Sequence, residues 1–322
     1  MVPATQLHTN ITRKGNNMKK YIFNWIGVIA ICAISSSFNS FSNDYKSITR
    51  STSINKFATI KNSNLIEVAK DKLAGSQVLV YTKNGKGYVH DNIASAVACI
   101  QQLGKTNNFK VDVSDDPTVF SEANLKKYQL LIFTSTNNDV FDNDEQRVQF
   151  RRYIEAGGGF VGVHSVTGTE RNWTWFKMML GETFSWHAKF QKFSIKNLAP
   201  THPSMKGVPS LWTKEDECYF GKELYPGIHV LMAHDLSSLD TTQKETIVKN
   251  AGSFANYYPA VWYQNFEGGN IWVTALGHAK ENYQEPTYIN HLLQGIKYIA
   301  NQYNGLNYKN AIAVTRDDQL KK

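Results

Sequence analysis

Five histidines and two acids stand where elements end rather than inside them. His90 follows the glycine loop Asn84-Gly85-Lys86-Gly87, and His164 comes directly after Gly157-Gly158-Gly159-Phe160-Val161-Gly162-Val163. His187, His202 and His278 close the runs Ser185-Trp186-His187, Thr201-His202 and Leu276-Gly277-His278, while Asp216 and Glu217 end an acidic triplet just before Cys218 and Tyr219. Imidazoles and carboxylates move protons near neutral pH and hold divalent ions. His164, His90, Glu217 and Asp216 are the candidate acid/base groups. There is no HExxH and no CxxC, so a metal site has to be assembled from distant loops, with His187, His202 and His278 as candidate ligands. For each histidine alone a structural hydrogen-bonding role is the commoner one. His164 is the exception, because the first polar side chain after a buried strand is hard to justify by packing. Facing solvent at the strand tip, it is expected to support little of the fold. The first glycine loop lacks the third glycine of a dinucleotide fingerprint, which argues against a nicotinamide cofactor.

The elements that must position these groups read as an α/β series. Residues 77–82, 109–113, 130–134 and 160–163 are short strands, and the unbroken apolar runs among them, 130–134 without any polar alternation, are the mark of a parallel sheet covered on both faces. Between them lie a helix from Asp91 to Leu103, stopped at Gly104, and a helix from Asp142 to Ala156, with Asp142 as its cap. Ligands of such sheets bind beyond the carboxyl ends of the strands, so the loops after Thr82, Thr134 and Val163 are the ones to search. The second half is β-rich, with strands near 189–195, 211–219, 228–234, 258–265 and 270–276, and a last helix from about Tyr283 to Ala300. The expectation is one α/β domain of flavodoxin-like parallel topology with a β-rich C-terminal extension.

Composition excludes several classes. The chain has 322 residues, 42% apolar and 19% charged, which is neither a disordered chain nor a multi-span membrane protein. Half of the net charge of +8 comes from Arg13, Lys14, Lys19 and Lys20 within residues 1–42, and no basic run occurs elsewhere, so nucleic acid is not an expected partner. Met18-Lys19-Lys20, the apolar run from Tyr21 to Ile34 and the serines up to Ser42 have the order of a secretory signal, with Met18 as its start. The expected organisation is a signal at 1–42, a leader at 43–75, a domain at 76–301 and a tail at 302–322, in a secreted or periplasmic protein with no membrane span after cleavage. Cys99, within a helical apolar pattern, reads as a buried free thiol.

In sequence order, the run Thr82 to His90, the run Gly157 to Ser165, Phe184-Ser185-Trp186-His187, His202-Pro203, Asp216-Glu217-Cys218-Tyr219, Pro259-Ala260-Val261-Trp262 and Leu276-Gly277-His278 resemble the ThuA-like (trehalose utilisation) family over roughly residues 76–301. The resemblance implies a fold like that of the class I glutamine amidotransferases. In that superfamily the turn after the fourth strand carries a cysteine nucleophile; here His164 stands there, so a thiolate glutaminase is not expected. The family is associated with disaccharides oxidised to a 3-keto form. A ketone at C3 acidifies the C2 proton, and its removal lets the C1 glycosidic oxygen leave. That chemistry needs a base, an acid for the leaving oxygen and a group that holds the enolate, a role a divalent metal could fill. A small-molecule carbohydrate is the expected partner. Trp186, Trp262 and Tyr219, with Trp173 and Trp175, are the candidate sugar-binding rings. The alternatives are a non-catalytic sugar-binding protein on the same fold and a hydrolase of another small molecule.

Overall fold

The apolar runs at 77–82, 130–134 and 160–163 have to bury both of their faces, and the computed structural model, which describes residues 71–320, shows how they do so, while the strand near 109–113 lies at the sheet edge and is largely exposed. The expected signal at 1–42 and most of the leader lie outside the described residues. In chain order the elements are β1 (Gln77–Tyr81), α1 (Ile93–Asn107), β2 (Lys110–Ser114), α2 (Glu122–Leu125), β3 (Leu130–Thr134), α3 (Asp144–Glu155), β4 (Gly159–Val163), α4 (Thr174–Leu180), β5 (Glu182–His187), β6 (Gln191–Asn197), β7 (Leu211–Asp216), β8 (Tyr219–Leu224), β9 (His229–Asp235), α5 (Lys244–Ala251), β10 (Tyr257–Phe266), β11 (Gly269–Thr274) and α6 (Pro286–Gln302). A nine-stranded sheet runs β2-β1-β3-β4-β11-β10-β9-β6-β7, and β5 pairs with β8 apart from it. From β2 to β11 the neighbours are parallel; from β11 onward they are antiparallel.

Alternate residues of the central strands go to opposite sides of the sheet. Val78, Val80, Leu130 and Ile132 pack with Ile100 and Leu103 of α1 and Leu292 and Ile296 of α6. Leu79, Tyr81, Leu131 and Phe133 pack with Phe150 and Tyr153 of α3 and Phe176 and Met179 of α4. The absence of polar alternation in these strands is thus the direct result of helices on both faces. The β-rich second half, its β5–β8 pair aside, does not form a separate layer. It extends the same sheet, and β11 slots in beside β4 in parallel. Among the described residues no helix is long and apolar enough to cross a membrane.

Three local expectations change. Helix α1 runs past Gly104, because that glycine is a contact point: a Cβ there would lie 2.8 Å from the Phe109 carbonyl oxygen. The helix ends instead at Asn108, in left-handed backbone with φ 56°. Helix α3 is capped by Asn143, whose side chain accepts from the Gln146 amide, rather than by Asp142. The strand expected over 211–219 breaks at Glu217 and Cys218, and its two pieces join different sheets. The chain after α6 returns along α3, where the fully buried Arg151 donates to the carbonyls of Arg316, Asp318 and Gln319.

Candidate metal centre

Strand β4 ends in a strained turn. His164 has φ 56°, and the loops after β3 and β4 also hold Ser135, Asn138 and Glu170 at positive φ. Left-handed backbone at non-glycine residues is costly and clusters at functional sites. The turn drives the His164 side chain under the loop formed by residues 275–278, so it is fully buried. The expectation of a solvent-facing side chain with little packing is therefore corrected: His164 is enclosed by Ala275, Tyr219 and two other imidazoles.

Hydrogen bonds fix the tautomers of two rings. His164 Nδ1 lies 3.2 Å from the Ala275 carbonyl, which can only accept, so Nδ1 carries the proton and Nε2 keeps its lone pair. His90 Nδ1 lies 3.2 Å from Ser165 Oγ, whose own hydroxyl donates to the Thr136 carbonyl at 3.1 Å. His90 Nδ1 is therefore also the donor, and its Nε2 is free. Burial, with His278 nearby, pushes the His90 pKa down to about 4, and burial together with His90 holds His164 well below its ordinary value. Both rings are neutral at pH 7. A neutral imidazole with one nitrogen tied to a backbone or hydroxyl oxygen is the arrangement that metal-ligating histidines adopt.

Glu217 enters from the break between β7 and β8. Its Oε2 is 3.0 Å from His278 Nδ1 and 4.0 Å from His164 Nε2, and its Oε1 is 3.3 Å from His187 Nδ1. Close as they are, His278 Nδ1 and Glu217 are not aligned for a hydrogen bond, and the buried Nδ1 has no hydrogen-bond partner. Burial alone would lower the His278 pKa, but Glu217 and Asp216 outweigh it and raise it. His90, His164, Glu217 and His278 each bring one ligand atom to within 4.8 Å of the others. Donors on one tetrahedral ion at ~2.1 Å lie about 3.4 Å apart, so closure by no more than about 1.4 Å separates this set from a coordination sphere. Three imidazoles and one carboxylate, with an orphaned nitrogen among them, fit a divalent transition ion.

His90, Glu217 and His278 line a cavity of about 440 Å³ whose walls also include Tyr88, Asn137, Arg171, Phe184, His187 and Tyr219, and the fully buried His164 lies behind them. Tyr219 Oη lies 3.1 Å from His164 Nε2, and burial together with Glu217 and Asp216 keeps its phenol protonated and hence a donor. His187, half exposed, sits at the rim beside Glu217 rather than within the four-residue group.

The other residues singled out from the sequence lie elsewhere. Asp216 is behind the site: it takes Lys214 at 2.5 Å and the amides of Gly277 and His278 at 2.8 and 3.0 Å, which anchors the His278 loop. Burial by itself would raise its pKa, but Lys214, His164 and the Gly277 amide hold it low. His202 stacks on Tyr263 and bonds Ser204 by a different groove. Trp262 and Trp173 are fully buried, with indole N–H groups donating to the carbonyls of Leu180 and Arg316. Trp175 is nearly as buried and bonds Glu267, and Trp186 packs on Phe220. The indoles are absorbed by the core because they are the largest apolar side chains available to fill it. Tyr88, Phe184 and Tyr219 are the rings that face the cavity. Of these only Tyr219 was singled out by sequence, although Tyr88 belongs to the glycine loop that presents His90. Cys99 and Cys218 are buried free thiols whose pKa burial raises, and neither lines the cavity.

A family model described as ThuA, trehalose utilisation, matches residues 77–299. No curated protein matches the sequence. Among solved structures, a ThuA-like protein from Bacteroides uniformis ATCC 8492 superposes with a TM-score of 0.57 at 20% identity, covering 70% of this chain and 92% of that one. A ThuA-like protein from Parabacteroides merdae ATCC 43184 gives 0.55 at 20% identity, over 70% and 90%. At that identity the likeness is one of fold.

Proposed function

This chain belongs to the ThuA (trehalose utilisation) family, which gives it a carbohydrate-related role, and from there we propose that it cleaves 3-keto-glycosides by acid/base elimination or hydrolysis at the histidine cluster. The observation that carries the reading is the convergence of His90, His164, Glu217 and His278 beyond the carboxyl ends of parallel strands, with three of the four lining a cavity there. These four residues would hold a divalent ion. When bound, the ion supplies electrophilic stabilisation of the negative charge that develops on the C3 oxygen.

The chain's own groups do the rest. His187 bonds the Ala188 carbonyl through Nδ1, with Glu217 beside that nitrogen, which leaves Nε2 with a lone pair toward the cavity as the base for the C2 proton. The electron pair of the C2–H bond becomes the C1=C2 bond as the C1–O bond breaks. The leaving oxygen takes a proton, and the Tyr219 phenol, kept protonated by burial and its acidic neighbours, is placed to give it. In the hydrolytic variant water then adds at C1. Tyr88 and Phe184 offer apolar faces to the sugar ring. We extend the proposal to export of the protein, on the basic, apolar and serine-rich order of its N-terminal segment.

The test incubates the purified protein with a disaccharide and its 3-keto derivative, with and without chelator. Release of free sugar from the keto form alone, abolished by chelator and restored by a divalent ion, is the expected result. Equal release from both sugars would exclude the elimination chemistry. Full release in chelator would exclude the metal, and tight binding without release would favour a sugar-binding protein.

A further inference from the structure

Among the described arginines, Arg147, Arg151, Arg152 and Arg316 each make at least one ion pair with an acid. Arg171, on the cavity wall, makes none with any described residue. Its neighbour Glu170 turns away to Arg147, at 2.8 Å, and Glu217 across the cavity faces His278 and His187. Burial, unopposed by any carboxylate, lowers the Arg171 pKa. A half-buried guanidinium with no counter-ion is a standing cost to the fold, the kind that persists where a ligand supplies the missing charge.

The guanidinium is also held in one plane. Nε donates to the Gly168 carbonyl at 2.9 Å, Nη2 donates to Asn137 Oδ1 at 3.1 Å, and the Phe184 ring lies 5.4 Å away beneath it. Two of its five N–H groups are thereby used, leaving the others for a ligand. Gly168 makes the arrangement possible: a Cβ there would fall 2.5 Å from Asn137 Oδ1 and 2.9 Å from Arg171 Nη2. Asn137 is itself fixed by the Asn138 amide and the Tyr88 carbonyl. Such preorganisation suits two-pronged recognition of a planar or tetrahedral oxyanion.

The geometry points to Arg171 as the anchor of an anionic group on the sugar, a carboxylate or a phosphate, so that the substrate class is an acidic glycoside rather than a neutral one. This rests on reading the cavity as a sugar site, and it makes Arg171 a specificity-determining residue rather than a member of the proton-transfer machinery.

The experiment is calorimetric titration of the full chain with a methyl glucoside, the corresponding methyl glucuronide and the glucoside 6-phosphate, none of them 3-oxidised. One of the two anionic sugars is expected to bind at least ~10-fold more tightly than the neutral one, as a charge-assisted pair requires. Whichever does so identifies the source of the anion. Arg171→Gln should erase that preference while leaving the affinity for the neutral glucoside and the melting temperature near those of the parent, and Arg171→Lys should recover part of it. Equal binding of all three sugars by the parent would overturn the inference while leaving the sugar reading intact. A parallel loss of neutral and anionic binding in both variants would also overturn it, by making Arg171 a support for the Gly168 loop. Failure of every sugar to bind, in the 3-keto forms as well, would remove the sugar reading itself, and this inference with it.

Discussion

His164 gathers several marks of a functional group in one side chain. It has left-handed backbone, complete burial, one nitrogen committed to the Ala275 carbonyl and the other aimed at Glu217 and Tyr219. Asparagine tolerates left-handed backbone, so His164→Asn is expected to fold with a loss of no more than ~1–2 kcal/mol while turnover falls ~10²–10⁴-fold. A melting curve beside a rate measurement checks both halves. Glu182 tests the electrostatics of the buried β5–β8 pair. Burial, only partly offset by the Tyr258 hydroxyl and the Gly221 amide, raises its pKa from 4.5 to about 8. The native state therefore keeps a proton that the unfolded chain gives up, and stability is lost as pH rises from 4.5 toward 8, by up to ~1.4 kcal/mol per unit. Glu182→Gln should remove that slope in urea melts at pH 5.5 and 8.5; an unchanged slope would show that Glu182 is not its source. Residue-level legibility followed local context. His90 and His164 could be singled out because apolar strands and glycines precede them. Arg171 could not, because Glu170-Arg171-Asn172 reads as an ordinary polar loop until the structure turns Glu170 toward Arg147.

Between elements, the decisive event is a break. One strand is expected over residues 211–219, yet β7 ends at Asp216 and β8 begins at Tyr219 in another sheet. Asp216 is held by Lys214 and by the Gly277 and His278 amides, and that anchoring turns the chain so that Glu217 reaches the cavity. The parallel strands were legible because burial on two faces leaves an unbroken apolar run. The break was not, because its cause lies in partners about sixty residues away in sequence. The return of the chain over α3 is a second such case. Arg151, fully buried, pairs with Glu155 at 3.0 Å and binds three carbonyls between Arg316 and Gln319. Arg151→Met takes the cation from the buried Glu155 carboxylate, which keeps the amides of Ile312 and Ala313, and should lower the unfolding free energy by ~3–5 kcal/mol, with the rate per folded molecule unchanged. Denaturant titration decides it; a loss below ~1 kcal/mol would mean that the returning segment contributes little to holding α3.

For the whole molecule, buried titratable groups of opposite tendency set a stability maximum. Burial lowers His234 to about 4 and His291 to about 3, so the unfolded chain takes protons that the native state refuses once pH falls below 6.5. Their contribution is complete above pH 6.5 and is lost as pH falls toward 4 and 3, whereas that of Glu182 is lost as pH rises toward 8. Between 4.5 and 6.5 these histidine slopes, joined by those of His90 and His164, oppose one carboxylate slope, so stability should peak near pH 6.5, which a series of thermal melts would locate. The sheet itself exists in part to gather distant loops: the four residues of the cluster come from the loops after β1, β4, β7 and β11. The central claim is that this gathering makes a metal centre. Its most direct measurement is the metal content of the purified protein after equilibration with a divalent ion and gel filtration, for the parent and for His164→Asn and Glu217→Gln. The account predicts one ion per parent chain and a loss of at least ~10-fold in affinity in each variant. A parent chain that holds no ion, or variants that retain it fully, would contradict it.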